Sequence, residues 1–449
     1  MPADNKENMS PLQILESIPE GVFAVDPSCQ ITYFNQKAEE ITGYRRSHIL
    51  GKRCADVFRT EICESRCIIR RSISTGKEFF DNQVHILDRS DRAVPIRIQS
   101  SPLRDREGNI IGGLQTFQVV TDPDEGTRQE LILFELRRKM GRDERLARLY
   151  AILPDLAGSD APVLLQGEPG TEKRELARAI HLLSGRALGP YCHVSCREKD
   201  PETLTRELLG TWKHPGGPAG AGQPGSLERA HRGTLFLEEI EELPYPLQVS
   251  LFKAMEEGEY RPPGAESVVS SDIRLIASTQ ADLEKKVKEG TFPQSLFYCL
   301  NVFKIQVPAL RDRREDILTL ARDILWRISL ETGKEVSGFD AEVARALQSH
   351  PFPGNIHELD EILRTGHASA RDRQLKPEEL PALTQAHKGL MRKPGPRHAR
   401  AAADAAGSAR ERILGALIRN RWNRKRAAQE LGVDRTTLWR RMKRMGIRP

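Results

Sequence analysis

Short apolar runs alternate with amphipathic stretches in three blocks of this 449-residue chain. In the first block, from about Leu12 to Val120, apolar and polar positions alternate. This period of two predicts strands with one buried face, separated by short helices, which is an α+β arrangement. The strands are predicted at Gly21–Val25, Gln30–Phe34, Val94–Gln99 and Ile110–Val119.

The second block, from about residue 143 to 385, alternates apolar strands with amphipathic helices. This order predicts a parallel α/β sheet, because the strands of such a sheet are buried on both faces. Strands are predicted at Val163–Gln166, Thr234–Leu237 and Ile273–Ala277. Helical segments after Arg311 predict a smaller, all-helical lid. A helix at Gln129–Lys139 is predicted to connect the first two blocks.

The third block is short and helical. A Pro/Gly/Ala/Arg-rich stretch, Lys388–Ser408, predicts a flexible linker before it. Asp434 is a good N-cap for the last helix, and Gly432 allows a tight turn before it. The predicted helices are Arg410–Asn420, Arg424–Leu431 and Arg435–Met445. A helix, a glycine-containing turn and a second helix predict a three-helix helix-turn-helix domain.

Charge separates this third block from the rest of the chain. Residues 388–449 contain 18 lysines and arginines against four acidic residues, so their net charge is +14. Because the net charge of the whole chain is +6, the remaining residues have a net charge of −8. A basic segment on an acidic body favours binding to double-stranded DNA. Base-facing and backbone-contacting side chains are predicted at Arg435, Thr436, Thr437, Arg440, Arg441, Lys443 and Arg444. The alternative is a solvated pair of basic helices.

Several classes of protein are disfavoured by the composition. No apolar run approaches the length of about 18–20 residues that spans a bilayer, so no membrane association is expected. The N-terminus lacks the basic and apolar regions of a secretory signal, and the seven cysteines do not suggest a disulfide framework. We therefore expect a cytoplasmic protein.

A glycine loop follows the strand predicted at Val163–Gln166. Strand, glycine loop, lysine and helix form a P-loop, in which backbone N–H groups and a helix N-terminus hold phosphates. The residue before the lysine is Glu172, where a glycine would let the backbone approach the phosphates. The nucleotide-binding residues are predicted to be Gly167, Glu168, Pro169, Gly170, Thr171, Glu172, Lys173 and Arg174.

A second strand, Thr234–Leu237, ends in Glu238 and Glu239. A P-loop nucleotidase needs such a pair, one acid for magnesium and one to orient the attacking water. The sequence therefore predicts Glu238 and Glu239 as catalytic residues, with ATP and Mg²⁺ as possible ligands. The alternative is a core strand that ends in a solvated acidic patch.

The order of motifs resembles that of the bacterial sigma-54-dependent enhancer-binding proteins. The central block is similar to their AAA+ domain, and Ala427–Arg440 resembles their Fis-type DNA-binding domain. The first block resembles a PAS sensor domain, through Glu20–Asp26, Ile31–Asn35 and Ile41–Tyr44. The AAA+ motifs are Gly167–Lys173, Glu207–Gly210, Gly233–Ile240, Leu300–Phe303, Pro308–Ile317 and Pro353–Asn355. The resemblance implies sigma-54 RNA polymerase as a partner and a homo-oligomer, either a dimer or a higher ring.

Departures from the family pattern concern residues of the ATPase cycle. Glu172 replaces the last P-loop glycine, and Glu238 replaces the magnesium-binding aspartate, whereas the catalytic glutamate is retained as Glu239. Other family residues, namely two asparagines and three arginines, are replaced by Ser195, Gln280, Pro293, Cys299 and His357. The sigma-contacting Gly-Ala-Phe-Thr-Gly-Ala corresponds to His214–Ala219. These departures imply that ATP hydrolysis and sigma-factor remodelling are impaired.

Three cysteines of the first block are close in sequence: Cys54, Cys63 and Cys67. If Glu61–Arg71 is one helix, Cys63 and Cys67 share a face. Three thiolates could hold a metal or an iron–sulfur cluster, with Cys29 or His85 as a fourth ligand. The alternative is that they are small buried hydrophobes or a redox pair.

We therefore expect a multidomain α/β protein. The predicted parts are a PAS α+β domain (9–121), a helical linker (122–142), an AAA+ P-loop α/β core (143–308), a helical lid (309–385), a flexible linker (386–408) and a Fis-type helix-turn-helix (409–449). Three functions remain open: a DNA-binding regulator with an impaired ATPase, a working ATP-dependent activator, and a PAS redox or ligand sensor that acts mainly through protein contacts.

Overall fold

The structure is a computed structural model. It describes residues 10–60, 62–65, 67–211, 222–265, 267–336, 338–381, 383, 420, 427–428, 430 and 438. The chain divides into two compact units, Met1–Leu383 and Thr384–Pro449. In the second unit, Ala427, Ala428, Glu430 and Leu438 are helical. The side chain of Leu438 is buried.

The N-terminal part of the first unit is an antiparallel sheet with short helices, in the strand order β2-β1-β5-β4-β3. Asn35 links sheet to helix: its Oδ1 accepts hydrogen bonds from the backbone N–H of Val22 (2.8 Å) and of Ala38 (2.9 Å). The helices are α1 (Pro11–Ser17), α2 (Gln36–Thr42), α3 (Arg46–Ile49), α4 (Cys54–Phe58), α5 (Ile62–Ser65) and α6 (Ile68–Thr75). The strands are β1 (Gly21–Val25), β2 (Ile31–Phe34), β3 (Phe79–Leu87), β4 (Ala93–Arg104) and β5 (Ile110–Val119).

Two expectations for this domain need correction. The single helix over Glu61–Arg71 is wrong, because α5 ends at Ser65 and Cys67 is the N-cap of a new helix, α6. Strand β3 was not predicted. Its sequence, Phe79–Leu87, places polar side chains within an otherwise apolar run, and its pairing with β4 creates the strand.

A long helix, α7 (Glu125–Met140), connects this domain to the next. The side chain of Asp124 caps it by accepting a hydrogen bond from the N–H of Thr127 (2.8 Å). Leu133, Leu136 and Met140 pack into the core of the following domain. Because Glu135 also accepts a hydrogen bond from the N–H of Ala93 in β4 (3.2 Å), α7 contacts both domains.

The next domain is built on a parallel sheet in the order β12-β6-β11-β8-β7. Apolar clusters cover both faces of the sheet. The predicted strands are present as β6, β8 and β11, whereas β7 and β12 were missed because they are short and contain polar residues. The helices are α8 (Glu144–Gly158), α9 (Lys173–Leu182), α10 (Pro201–Leu209), α11 (Ser226–Arg229), α12 (Tyr245–Glu257), α13 (Leu283–Lys288) and α14 (Gln294–Leu300). The strands are β6 (Val163–Gln166), β7 (Tyr191–Ser195), β8 (Gly233–Glu238), β9 (Glu259–Tyr260), β10 (Val269–Ser270), β11 (Ile273–Thr279) and β12 (Phe303–Gln306).

The lid follows β12 and is mostly helical, as predicted. A separate apolar cluster holds it together. Its carboxylate Asp316, in the first turn of the longest helix, accepts hydrogen bonds from the N–H groups of Arg142 (2.8 Å) and Asp143 (3.0 Å). The lid therefore also contacts the segment after α7. Its elements are α15 (Arg314–Thr332), β13 (Gly338–Phe339), α16 (Ala341–Ser349), α17 (Asn355–Ser369) and β14 (Gln374–Leu375).

Candidate nucleotide site and its neighbourhood

The loop between β6 and α9 has the shape of a P-loop. Lys173, the first residue of α9, is buried, and its Nζ donates hydrogen bonds to the carbonyls of Gly167 and Glu168, both at 2.8 Å. Thr171 Oγ1 donates to the carbonyl of Glu168 (2.8 Å). Burial lowers the pKa of Lys173, and the nearby carboxylates oppose this effect. Arg174 lies exposed in the first turn of α9.

Glu172 occupies the N-cap of α9 with a φ of 66°. This left-handed conformation costs a residue with a Cβ about 1–2 kcal/mol, whereas glycine adopts it freely. Burial raises the pKa of the Glu172 carboxyl, and the charge of Glu175 raises it further. The loop therefore retains a backbone suited to glycine but carries a desolvated acid.

The lid binds the P-loop directly. The guanidinium of Arg311 donates to both carboxylate oxygens of Glu168, one at 2.7 Å, and this hydrogen bond is the main cause of a lowered Glu168 pKa. Asn355 Nδ2 donates to the carbonyl of Pro169 (2.8 Å) and to Glu168 (3.2 Å). A Cβ on Gly170 would lie 2.1 Å from the carbonyl oxygen of Gly354, so only glycine fits there.

The acidic end of β8 lies at the same edge of the sheet. Glu238 Oε2 is 2.9 Å from His193 Nε2, and this hydrogen bond is the main cause of a lowered Glu238 pKa. Glu239 has a φ of 58°, and its N–H donates to Ser278 Oγ (3.3 Å). Strands β6 and β8 both pair in parallel with β11, so the P-loop and the two predicted catalytic acids follow the same edge of the sheet. The charges of Glu238 and Glu239 oppose the lowering of the Lys173 pKa by burial.

The carboxylate of Glu239 is only partly satisfied. Its Oε1 lies 3.7 Å from Arg197 Nη1, and its Oε2 is buried without a hydrogen-bond partner. Burial raises the pKa of Glu239, and the charge of Arg197 opposes this effect. Neither His193 nor Arg197 was identified from the sequence, since both contacts cross from β7 or the loop after it to β8.

The structure also describes the other positions, outside the sigma-contacting loop, at which the chain departs from the family pattern. Ser195 pairs with Glu238 in the sheet, and the N–H of Gln280 donates to Glu241 (2.9 Å). Pro293 is the N-cap of α14, and Cys299 lies within that helix. The side chain of His357 is exposed, and its Nε2 lies 3.3 Å from Oε1 of Glu361. The residues predicted for the sigma-contacting loop, His214–Ala219, lie outside the described residues.

A buried arginine near the loop was also missed. Arg313 is 1% exposed, and its Nε, Nη1 and Nη2 atoms have no hydrogen-bond partner. Burial lowers its pKa, and Asp316 is the carboxylate that opposes this effect most strongly, with a smaller contribution from Glu172. A desolvated guanidinium beside a P-loop suits an anionic ligand.

Outside the nucleotide site, three cysteines line one cavity of about 30 Å³ in the N-terminal domain: Cys54, Cys63 and Cys67. The structure therefore brings together the thiols that the sequence singled out. Within the described residues, however, no three His, Cys, Asp or Glu side chains are arranged to hold a metal ion. The metal or iron–sulfur site stays a prediction.

The N-terminal domain and α7 share a charged contact. Asp91, in the turn between β3 and β4, accepts hydrogen bonds from Arg59 and Arg138, both at 2.8 Å. Both arginine side chains are about nine-tenths buried. Asp323 of α15 is near the same arginines, and burial raises its pKa. No sequence pattern pointed to this contact, because Asp91 is 32 residues from Arg59 and 47 residues from Arg138 along the chain.

The predicted DNA-contacting residues Arg435, Thr436, Thr437, Arg440, Arg441, Lys443 and Arg444 lie outside the described residues. Among the helices of the described part, none is both long enough and apolar enough to cross a bilayer.

Comparison with known families gives four matches along the chain. They are the PAS fold (residues 11–120), the Sigma-54 interaction domain (139–306), the AAA+ ATPase lid domain (311–394) and the Bacterial regulatory protein, Fis family (410–445). Their order agrees with the predicted order of domains.

Individual relatives extend this similarity. The response regulator PilR of Pseudomonas aeruginosa is 33% identical, over 74% of this chain and 78% of its own length. UacR of Escherichia coli strain K12, whose name describes a sigma-54-dependent transcriptional regulator, is 30% identical over 99% of this chain and 73% of its own length. The crystal structure of NtrX from Brucella abortus in complex with ADP has a TM-score of 0.53 and 28% identity, over 72% of this chain and 73% of that one.

Proposed function

Because this chain belongs to the sigma-54-dependent transcriptional regulators, with a PAS sensor, an AAA+ domain and a Fis-type DNA-binding domain, we propose that it regulates transcription from specific DNA sites while its AAA+ domain binds ATP weakly and hydrolyses little of it. Glu172 carries the proposal. It places a carboxylate beside the N-terminus of α9, where a P-loop holds phosphates.

Retained nucleotide binding is supported by the positive charges of the site. Lys173 has its family position, and Arg313 supplies a buried guanidinium without a hydrogen-bond partner. NtrX, a relative in structure, has been crystallised with ADP and with ATP. Weak binding follows from Glu172, since a like charge about 4 Å away costs about 1 kcal/mol or more, depending on the local dielectric.

Impaired hydrolysis is supported by the state of both acids. Glu238 is hydrogen-bonded to His193, so binding of Mg²⁺ through this carboxylate competes with an existing contact. Glu239, the candidate for orienting the water, is held near Arg197. Arg197 therefore competes with the attacking water for the carboxylate of Glu239.

The missing arginines act in the same direction. Pro293 and Cys299 stand where the family pattern has arginines, and neither can stabilise charge on a transferring phosphoryl group. An arginine finger contributes about 10³–10⁵ in rate where it has been measured. We therefore infer a retained fold that serves mainly as a scaffold, as a dimer or higher ring, with contact to sigma-54 RNA polymerase weakened through His214–Ala219.

ATP turnover by the full-length chain tests this proposal. Turnover well below about 1 s⁻¹, the low end of typical enzyme rates, is expected. The Lys173→Ala variant gives the background rate of ATP hydrolysis in the assay. A variant that combines Pro293→Arg with Cys299→Arg tests whether the missing arginines limit the rate. Turnover of about 1 s⁻¹ or faster by the unmodified chain would reject the proposal and favour a working ATP-dependent activator.

Removal of residues 409–449 tests the role of DNA. The truncated chain is expected to lose both DNA binding and regulation, because the predicted helix-turn-helix and its excess of positive charge lie there. Regulation that persists without these residues would instead favour a PAS sensor that acts through protein contacts.

The prediction of a metal or iron–sulfur site at Cys54, Cys63 and Cys67 has its own test. Thiolates are the ligands that zinc and iron–sulfur clusters prefer. Protein purified without air would contain iron or zinc in proportion to the chain, and a cluster would give it colour. Protein without metal and without colour would reject this prediction.

A further inference from the structure

The residues at the magnesium position of this P-loop site do not suit the ion. Magnesium takes oxygen ligands, and proteins bind it through one or two carboxylates together with phosphate oxygens and water. In P-loop nucleotidases the protein ligands are a hydroxyl directly after the P-loop lysine and an acid at the end of a neighbouring strand. In this chain the residue after Lys173 is Arg174, and the acid at the end of β8 is Glu238.

Arg174 offers no oxygen to a metal ion. A guanidinium is always positively charged, and it has several N–H donors but no acceptor. Arg174 lies exposed in the first turn of α9, directly after Lys173. Among the described residues, its side chain has neither a hydrogen-bond partner nor an ion-pair partner. A free guanidinium therefore stands at the position from which a hydroxyl would reach the metal.

Glu238 is already bound to a side chain that packing holds in place. Its Oε2 lies 2.9 Å from Nε2 of His193. His193 and Phe236 are neighbours across the pairing of β7 and β8, and their rings stack with 5.2 Å between the centroids. Because Phe236 is fully buried, the stacking fixes the imidazole beside the carboxylate. A metal ion at Glu238 would have to break this hydrogen bond.

The next acid along the chain does not replace Glu238 as a ligand. Glu239 Oε1 lies 3.7 Å from Nη1 of Arg197, on the loop after β7. A guanidinium beside this carboxylate repels a divalent cation. The donor set at this edge of the sheet therefore does not fit magnesium: one ligand position is a cation, and both acids already have nitrogen neighbours.

Side chains around the loop supply the positive charge that a metal ion would bring. The Nζ of Lys173 donates to the carbonyls of Gly167 and Glu168, both at 2.8 Å, which leaves its remaining N–H group for a phosphate oxygen. Arg313 is 1% exposed, and its guanidinium has no hydrogen-bond partner in the part of the chain that the structure describes. Arg311, two residues earlier, binds Glu168, so Arg313 belongs to the lid segment that contacts the loop.

We propose that this site takes its nucleotide as the metal-free polyphosphate, with the guanidinium of Arg174 in the place of the magnesium ion. The inference rests on the nucleotide binding proposed above and specifies the form of the ligand. Guanidinium groups bind phosphate through paired, charge-assisted hydrogen bonds, so Arg174 neutralises phosphate charge without a metal. Glu172 opposes the phosphates with or without the metal, so binding is weak in both forms.

Titration of the full-length chain with ADP and with ATP tests this proposal, once in EDTA and once in excess MgCl₂. Calorimetry measures the affinity in each buffer. The affinity in EDTA is expected to equal or exceed the affinity in MgCl₂, because magnesium removes from the nucleotide the negative charge that Arg174 recognises. The comparison is made within one protein, so the weakening by Glu172 does not affect it.

Variants of Arg174 show whether this side chain is responsible. Arg174→Ser removes the charge and returns a hydroxyl. It is expected to bind ATP about tenfold more weakly in EDTA, because charge-assisted hydrogen bonds are lost, and to regain affinity in MgCl₂. Arg174→Lys keeps the charge and should retain most of the affinity in EDTA. Arg178→Ser, also exposed and one turn further along α9, is the matched control and should bind ATP as the unmodified chain does.

The outcomes separate this inference from the proposed function. Nucleotide binding that requires magnesium would overturn the inference alone, and so would an Arg174→Ser variant that binds ATP in EDTA as tightly as the unmodified chain. Absence of ADP and ATP binding in both buffers would overturn the proposed nucleotide binding, and this inference with it. The rate of ATP turnover is a separate measurement and does not enter this comparison.

Discussion

The guanidinium of Arg59, in the PAS domain, lies over the indole ring of Trp326, in the first lid helix, with 4.8 Å between Cζ and the ring centroid. The same arginine binds Asp91, which also binds Arg138 of α7. The PAS domain, α7 and the lid are therefore linked through two side chains, Arg59 and Asp91. Because Arg59 directly follows α4, whose Val57 and Phe58 are part of the PAS core, this core and the lid are connected through a single short helix.

Trp326→Ala is expected to loosen the contact between the PAS domain and the lid. A cation–π contact contributes about 0.5–2 kcal/mol, and the indole ring also packs against the PAS core. Hydrogen exchange in α4 and α7 should increase. Arg322→Ala is the matched control, since Arg322 lies over Phe339 within the lid (5.8 Å). Equal exchange in both variants would show that Trp326 does not couple the two domains.

Asp91→Asn is expected to be strongly destabilising. It leaves Arg59 and Arg138 buried without their shared carboxylate, and breaking such a contact costs about 3–5 kcal/mol. Urea unfolding of the full chain measures the loss. Asp105→Asn is the control, because Asp105 also lies in a hairpin turn but binds only the exposed turn around Asn109. A loss of stability no larger than that of the control would contradict the role of Asp91.

Glu172→Gln is expected to stabilise the protein at pH 7 but not at about pH 4. Burial raises the folded-state pKa of Glu172 above its ordinary value of 4.5. The folded state therefore holds this proton more tightly than the unfolded chain does. The stabilising effect of the proton is complete below the unfolded pKa and is lost as the pH rises through the folded pKa.

Thermal unfolding at the two pH values measures this difference, with Glu202→Gln, an exposed position in the first turn of α10, as the control. Glu172→Gly is also expected to bind ATP about tenfold more tightly, because it removes the carboxylate and suits the left-handed φ. An unchanged ATP affinity in Glu172→Gly would show that this carboxylate does not weaken nucleotide binding.

Glu168→Gln is expected to release the lid from the P-loop. It weakens the paired hydrogen bonds from Arg311 and the contact with Asn355. The Glu168–Arg311 pair is about two-fifths exposed, so the loss of overall stability should stay below about 1 kcal/mol. Exchange at the start of α17 should nevertheless rise. Glu361→Gln, which affects only the exposed pair with His357, should leave it unchanged.

Arg435→Ala and Lys443→Ala are expected to affect DNA binding differently. Arg435 is predicted to face the bases, so its loss should cost about 1–3 kcal/mol and relax specificity at one position. Lys443 is predicted to contact phosphate, so its loss should weaken binding to all sequences and reduce the salt dependence. Titration of labelled duplexes at several salt concentrations measures both. Identical profiles for the two variants would contradict the assignment.

The sequence alone determined the order of domains and the location of the P-loop. Strands β6, β8 and β11 were predicted because they are uninterrupted apolar runs, which reflect burial on both faces. The P-loop was predicted because its chemistry lies within eight consecutive residues. Strands β3 and β7 were missed, since their polar residues give no clear period and partner strands complete them.

Only the tertiary structure decided which side chains meet. His193 binds Glu238, Arg311 binds Glu168, and Arg59 lies on Trp326, with separations of 45, 143 and more residues along the chain. No local pattern encodes such pairs, because each depends on the packing of several elements. Glu172 was visible in the sequence as a departure from glycine. That its backbone keeps the left-handed φ of a glycine and that its carboxyl is desolvated followed only from the folded loop.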